Sequence, residues 1–331
     1  MKATLLRRLF ASAQAVPDSD LQAVCRAIVE DEKRLGHTKL AGELERKLVK
    51  AEAAHQIPGT KKASAPVRKM APLPSSRRDS APLVQVLEHD QLRHHMVLPE
   101  TIEQRFFRIE KEYAARSRLA KFGLRARQRI LLYGPPGCGK SLGAERIAWA
   151  TGLPLHKVRF DTLISSYFGE TANNLGKIFA AAEAQPCALF LDECDTIARA
   201  RGASNDVGEV SRVVNMLLQL LEDYRGDGLV IAATNHYESL DQAIYRRFDE
   251  AVEIPMPGIV EIARLLDTSL SALKVSRKLD LEQFAASLDG FSFSEVERIA
   301  QNSAKRSVMA NRKEVTLEDL ESAAQDVKRH F

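Results

Sequence analysis

The segment from residue 129 to 142, RILLYGPPGCGKSL, joins an apolar run to a glycine-rich turn and the pair Lys140 and Ser141. Glycines let backbone amides curve around an anion in a geometry that a Cβ would obstruct. A helix starting near Lys140 would point its positive end at the same place. The ammonium group suits phosphate oxygens, and the hydroxyl suits a magnesium ion. The residues predicted to hold ATP are Gly134, Pro135, Pro136, Gly137, Cys138, Gly139, Lys140, Ser141 and Leu142.

A second polar group follows the apolar run CALFL, where Asp192 and Glu193 stand side by side. Asp192 can share a magnesium ion with Ser141, and Glu193 can orient and polarise an attacking water. The next apolar run, GLVIAAT, ends at Asn235, whose amide would help to position that water. Taken alone, the acidic pair is more often a surface cap and Asn235 an ordinary turn residue. Together with the glycine-rich turn they predict a hydrolytic site.

The order and spacing of GPPGCGKS, FLDE and ATN, followed by LDQAIYRRFD and GFSFSEVERIA, resemble the AAA ATPases. The resemblance extends from about Leu98 to the C-terminus. It implies the AAA+ variant of the α/β P-loop NTPase fold, a parallel sheet with helices on both faces and a C-terminal helical lid. It also implies hydrolysis of ATP with Mg²⁺ and a homo-oligomeric ring, usually hexameric.

By the same resemblance, Arg246 and Arg247 match the arginine fingers that complete a neighbouring subunit's site. A guanidinium suits that role because it stays charged and presents a planar fork of donors. The adjacent pair in AIYRRFD resembles the branch that contains spastin and katanin. Phe293 and Ser294 depart from the small residues usual in the lid, which leaves the adenine contacts open.

The triplet Tyr167, Phe168 and Gly169 resembles the central-pore loop of AAA protein translocases. An aromatic ring grips polypeptide without demanding a sequence, and glycine lets a loop swing. Core packing of the two aromatic rings is one alternative. Stacking on single-stranded DNA is another, although Glu170 follows at once and such sites usually line a basic groove.

Alternating strands and helices must position these groups. RILLYG, PLHKVRF, CALFLDE and GLVIAAT are typical of buried strands, and the helical sequence between them favours a parallel α/β sheet. From Gly258 onward only helical patterns remain. The predicted division is a helical N-terminal domain for recruitment at 1–55, a basic, Pro- and Ser-rich linker at 56–82, the ATPase domain at 83–257 and the lid at 258–331.

Composition leaves the partner open, since a net charge of +4 is too mild to indicate nucleic acid. Four cysteines without CxxC spacing favour a reducing compartment, and hence the cytoplasm. No apolar run reaches the roughly 20 residues that span a bilayer. The opening residues 1–16 are Arg-containing and free of acids, which fits either a transit peptide or an amphipathic first helix. Acidic helical sequence from Asp18 favours the helix.

The leading hypothesis is an ATP-driven unfoldase or remodelling motor that engages a protein client through its pore and its N-terminal domain. No HExxH motif occurs, so we expect any protease partner to be a separate chain. One rival is a nucleotide-gated regulator that holds or releases a partner without threading it. A DNA-associated ATPase is the less favoured rival.

Overall fold

The computed structural model describes residues 74, 82–160, 163, 168–194, 207–236, 245–271, 273–275 and 280–328. These residues belong to one compact unit, Met70–Phe331. The predicted domain at 1–55 lies outside the described residues, as does the linker at 56–82 apart from Pro74 and Pro82. Both stay predictions.

Six strands form the main sheet in the order β1-β3-β4-β5-β2-β6. All neighbours run parallel except β1, which is antiparallel to β3. This mostly parallel sheet confirms the predicted α/β class, and the four strands read from the sequence are β2 to β5. The bounds are β1 Val84–Leu87, β2 Arg129–Tyr133, β3 Leu155–Val158, β4 Ala188–Leu191, β5 Leu229–Thr234 and β6 Glu250–Glu253.

Helices cover both faces of this sheet. Along β2, Ile130 and Leu132 pack into one hydrophobic cluster and Leu131 into another, because successive side chains of a strand point to opposite faces. Side chains of α1 and α3 join the first cluster, and those of α4 and α5 join the second. The bounds are α1 Glu100–Ala114, α2 Arg116–Ala120, α3 Lys140–Thr151, α4 Phe168–Ala184 and α5 Val207–Asp223.

The two edge strands were not predicted from the sequence. β1, VQVL, follows the predicted Pro- and Ser-rich linker and precedes a polar stretch. β6, EAVE, begins and ends with glutamate around the buried Val252, which hides the apolar pattern. Glu250 forms ion pairs with Arg105 of α1 and with Arg127 just before β2. Long-range pairing, rather than local apolar content, therefore holds this strand at the edge.

A third hydrophobic cluster is built from the C-terminal helices, with Ile262, Leu266, Val296, Ile299 and Leu320 among its buried members. The prediction that only helices follow Gly258 was wrong in one detail. Two strands of two residues pair in parallel there, too short to leave a periodic pattern. The bounds are α6 Ile259–Ser269, β7 Lys274–Val275, α7 Leu281–Ala286, α8 Phe293–Met309, β8 Glu314–Val315 and α9 Leu317–Lys328.

Helix α6 begins one residue after the predicted domain boundary, with Gly258 at its N-cap. The division of the chain at that point stays a prediction. Among the described residues, no helix combines the length and the apolar composition that crossing a lipid bilayer requires.

Candidate nucleotide site

The turn between β2 and α3 has the backbone that its glycines suggest. Gly134, Gly137 and Gly139 all have positive φ, at 141°, 72° and 91°. A Cβ at Gly134 would overlap the carbonyl oxygen of Ile254, which follows β6. Gly139 is the left-handed N-cap of α3. The turn therefore needs glycine both for its dihedral angles and for its close approach to a neighbouring strand.

We expect Gly137→Ala to weaken nucleotide binding at least about tenfold, because a Cβ there would lie 2.5 Å from Ser294 Oγ and 2.8 Å from Ser292 Oγ. Gly152→Ala is the matched control, since Gly152 has nearly the same φ, 69°, and nothing within 4 Å of the added carbon. Both variants carry a left-handed strain of about 1–2 kcal/mol. Calorimetric binding and thermal melts check this, and equal nucleotide affinities in the two variants would contradict it.

Lys140 is nearly buried, with 7% of its surface exposed. Its ammonium group donates to the carbonyl oxygens of Gly134 and Pro135 at 2.9 and 2.7 Å. Pro136 is exposed at the rim of the turn, and Leu142 is half-buried in the first turn of α3. A positive charge is thus held against the backbone of the turn.

The structure brings Ser141 and Asp192 together. Ser141 Oγ donates to Asp192 Oδ2 at 3.1 Å, which joins the start of α3 to the residue after β4. The same carboxylate oxygen accepts from Lys157 Nζ at 2.7 Å. A hydroxyl and a carboxylate are the hard oxygen donors that Mg²⁺ prefers, so this pair fits that ion. Sequence reasoning missed Lys157, because its position in β3 gives no motif.

Glu193 has a strained backbone, with φ of 52°. Such left-handed values are uncommon for residues other than glycine and cluster at functional sites. Its amide donates to Asp192 Oδ1 at 3.1 Å, and its side chain is exposed. The amide of Cys194 donates to the carbonyl of Ala233 at 3.0 Å, which draws the ends of β4 and β5 together. Asn235, half-buried, lies two residues after that contact.

Cys138 is a packing residue within the turn. It is fully buried, and its Sγ lies 3.4 Å from Met256 Sδ. Burial is the main cause that raises the pKa of this thiol, which keeps it neutral at physiological pH. The side chain of Cys138 is therefore not available as a nucleophile.

The start of α8 lies against the same turn. Ser294 donates its amide to the carbonyl of Gly137 at 3.0 Å, and Phe293 packs against the cluster that includes Cys138. A capping box fixes this helix start, because Ser292 Oγ accepts from the Glu295 amide while Glu295 Oε2 accepts from the Ser292 amide. We call the glycine turn between β2 and α3 the phosphate turn. The two positions that depart from the family pattern thus contact the phosphate turn or pack beside it.

A segment before α1 also reaches the site, which sequence reasoning missed. The backbone amide and guanidinium of Arg93 donate three hydrogen bonds to the buried Glu145 of α3. Those bonds to Glu145 are the main cause that raises the pKa of Arg93. Met96 lies close enough for its Cε to be 3.1 Å from a Cβ added at Gly139. This segment therefore contacts both the helix and the turn that would bind phosphate.

Arg246 and Arg247 lie near the end of the sheet where its parallel strands begin, whereas the phosphate turn follows the other end of β2. The amide of Asp249, two residues after Arg247, donates to the carbonyl of Arg129, where β2 begins. The turn starts at Gly134, five residues after Arg129 and roughly 16 Å away at about 3.3 Å per residue. Arg246 is exposed, and Arg247 forms an ion pair with Glu222 at 3.0 Å. The structure does not bring the two arginines to the site of their own chain.

The predicted pore-loop triplet is only partly described. Tyr167 lies outside the described residues, and α4 begins at Phe168, so Phe168 and Gly169 belong to its first turn. The role of the triplet stays a prediction.

A mostly parallel sheet, a glycine turn leading from β2 into a helix, and an acidic pair after β4 of the same sheet define a P-loop nucleoside triphosphatase. The sequence pattern of the family described as "ATPase family associated with various cellular activities (AAA)" matches residues 130–256. An uncharacterised AAA family ATPase, y4kL, of Sinorhizobium fredii is 38% identical over 325 residues, which cover 98% of this chain and 95% of that protein. The chain belongs to the AAA family and is an ATPase.

Two archaeal proteins are similar over a shorter region. Proteasome-activating nucleotidase 2 of Haloferax volcanii is 34% identical over 211 residues, 62% of this chain and 51% of that protein. The proteasome-activating nucleotidase of Methanosphaerula palustris is 32% identical over 218 residues, 64% of this chain and 53% of that protein. The chain thus spans about half the length of these two relatives.

Proposed function

We propose that this ATPase is a protein unfoldase or remodelling motor that works as a homo-oligomeric ring, hexameric as in most of the family. The observation that carries the motor site is the hydrogen bond from Ser141 to Asp192, which joins the phosphate turn to the acidic pair. The similarity to proteins named proteasome-activating nucleotidases favours a protein client over a nucleic acid.

In this proposal the amides of the glycine turn and the N-terminus of α3 bind the β and γ phosphates. Lys140 already donates to two carbonyls of the turn, and a charged phosphate oxygen is a stronger acceptor than either. Its ammonium group would therefore turn from the carbonyls to the nucleotide. Cys138 and Leu142 keep the turn packed, while Pro135 and Pro136 stiffen its entry.

Ser141 and Asp192 would hold Mg²⁺, which when bound neutralises phosphate charge and helps to orient the nucleotide. Glu193 would accept the proton of the attacking water, for which its exposed carboxylate after the end of β4 is suited. Asn235, after the neighbouring strand β5, would hold the same water by a hydrogen bond. The amide contact between Cys194 and Ala233 keeps the two strand ends in register.

The position of Arg246 and Arg247 supports the ring. Since both lie at the amino edge of the sheet, they are far from the phosphate turn of their own chain. A head-to-tail neighbour could bring its phosphate turn to that edge, as heterologous contacts that close into a ring allow. The guanidinium groups would then stabilise charge on the transferred phosphoryl group. Because the two arginines are adjacent, we also propose that the chain lies near the branch of the family that contains spastin and katanin.

Two parts of the chain would bind the client protein. Tyr167 and Phe168, with Gly169 as a hinge, would grip polypeptide in the pore, and residues 1–55 would recruit it through the linker at 56–82. A separate protease is the partner that the two archaeal names suggest. Cysteine usage favours a reducing compartment and hence the cytoplasm.

Replacing Tyr167 by Ala tests the threading part. We expect the variant to keep its ATPase activity and to lose most of its ability to unfold a tagged reporter protein, because the aromatic side chain that would grip the client polypeptide is gone. Phe122→Ala is the control and should keep both activities, since Phe122 is an exposed aromatic residue outside the proposed site and fingers. Unfolding that survives Tyr167→Ala would favour the nucleotide-gated regulator, and turnover stimulated by single-stranded DNA instead of unfolded protein would favour the DNA-associated ATPase.

A further inference from the structure

Lys157 lies one strand away from the acidic pair and reaches its carboxylate. It belongs to β3, where its backbone pairs with Phe190 of β4, two residues before Asp192. Its ammonium group forms an ion pair with Asp192 Oδ2 at 2.7 Å and lies 5.6 Å from the centroid of the Phe190 ring. The strand pairing and the ring together direct this cation at the carboxylate.

The oxygen that Lys157 contacts is also the one that accepts from Ser141. Ser141 and Asp192 are the two groups that we assign to Mg²⁺, so the lysine charge is already placed where a metal charge would act. The pair is partly exposed, with 37% of the Lys157 side chain and 21% of the Asp192 side chain accessible. Partly exposed pairs add little to folding stability, so its main effect should be on charge balance within the site.

We propose that Lys157 is a positioning residue that pairs with Asp192 when no magnesium is bound, and that magnesium displaces its ammonium group from the carboxylate. This inference rests on the proposed assignment of Asp192 as a metal ligand. Without metal, the lysine neutralises Asp192, so that the carboxylate does not repel an incoming phosphate. With metal, the lysine opposes the ion through like-charge repulsion, which loosens magnesium binding. Lys157 therefore reduces the factor by which magnesium tightens nucleotide binding.

The test compares the Kd of ADP in EDTA with its Kd in saturating magnesium, by calorimetry on the full chain. We expect the Kd in EDTA divided by the Kd in magnesium to rise about tenfold in Lys157→Met, because ADP binds more weakly in EDTA. The magnesium concentration for half-saturation should fall about tenfold. Lys157→Arg keeps the charge and should restore a ratio near that of the wild type. Lys177→Met is the matched control, because Lys177 Nζ donates to Asn174 Oδ1 instead.

Asp192→Asn distinguishes the role of Lys157 from the assignment of Asp192 as a metal ligand. If Asp192→Asn loses the effect of magnesium and Lys157→Met leaves the ratio unchanged, the inference about Lys157 is wrong while the metal assignment stands. If Asp192→Asn keeps the full effect of magnesium, both the assignment and the inference fall. Thermal melts without nucleotide show whether each variant is folded, so that a change in ratio is read only from folded protein.

Discussion

Glu193→Gln should slow ATP turnover about 100-fold or more while ATP binding persists. The amide nearly matches the carboxylate in size, yet it cannot accept the proton of the attacking water, and such general-base contributions lie in that range. The strained backbone at Glu193 and the amide contact to Asp192 should be unaffected, since neither uses the changed atoms. Steady-state phosphate release together with calorimetric ATP binding measures both quantities.

The control for this variant is Glu100→Gln, which changes an exposed carboxylate at the start of α1 that accepts a hydrogen bond from Gln104. It should turn over ATP within a few-fold of the wild type, because this surface contact involves none of the proposed site residues. Wild-type turnover in Glu193→Gln would show that another group activates the water. A loss of binding as large as the loss of turnover would place Glu193 in nucleotide recognition instead.

Subunits without Arg246 and Arg247 should regain ATPase activity when they are mixed with Lys140→Ala subunits. Either variant alone should lose about a thousandfold in turnover, one through its missing fingers and the other through its missing phosphate lysine. In a random mixed ring, roughly a quarter of the interfaces join an intact phosphate turn to intact fingers. Turnover should therefore recover towards roughly a quarter of the wild-type rate, measured at a concentration where the ring is assembled.

The control mixes the finger-deficient subunits with subunits that lack both the fingers and Lys140. No interface in that mixture is complete, so turnover should stay at the level of the single variants. Fingers acting within their own chain would leave the first mixture equally inactive. That result would also conflict with the distance between Asp249, beside the start of β2, and the turn at its end.

Local sequence was sufficient for the parts of the fold that are buried on both faces. The six residues of β5 are all buried, and the continuous apolar run that results is visible without any structure. β1 and β6 were missed because their pairing depends on distant partners, Val158 for Val84 and Arg105 for Glu250. Edge strands with charged residues carry little local pattern, so tertiary contacts decide them.

The site residues likewise fall into two groups, those that belong to a sequence motif and those that reach the site only through tertiary contacts. The glycines, Lys140, Ser141 and Asp192 were assigned to a nucleotide site from the sequence because their chemistry requires fixed spacing along the chain, and the structure places Ser141 within hydrogen-bond distance of Asp192. Lys157 and Arg93 were not, because each reaches its carboxylate from a distant part of the sequence, 35 and 52 residues away. The contact between Ser294 and Gly137 likewise exists only after the C-terminal helices have folded beside the turn.

The proposed motor depends on a magnesium nucleotide that is bound by the glycine turn and Asp192. Calorimetric titration of a non-hydrolysable ATP analogue into the purified chain, with magnesium present, tests it most directly. We expect binding that saturates at one nucleotide per chain and that weakens at least about 100-fold in Lys140→Ala, whose ammonium group would hold the phosphates. Absence of binding by the wild-type chain, or equal affinity in Lys140→Ala, would contradict it.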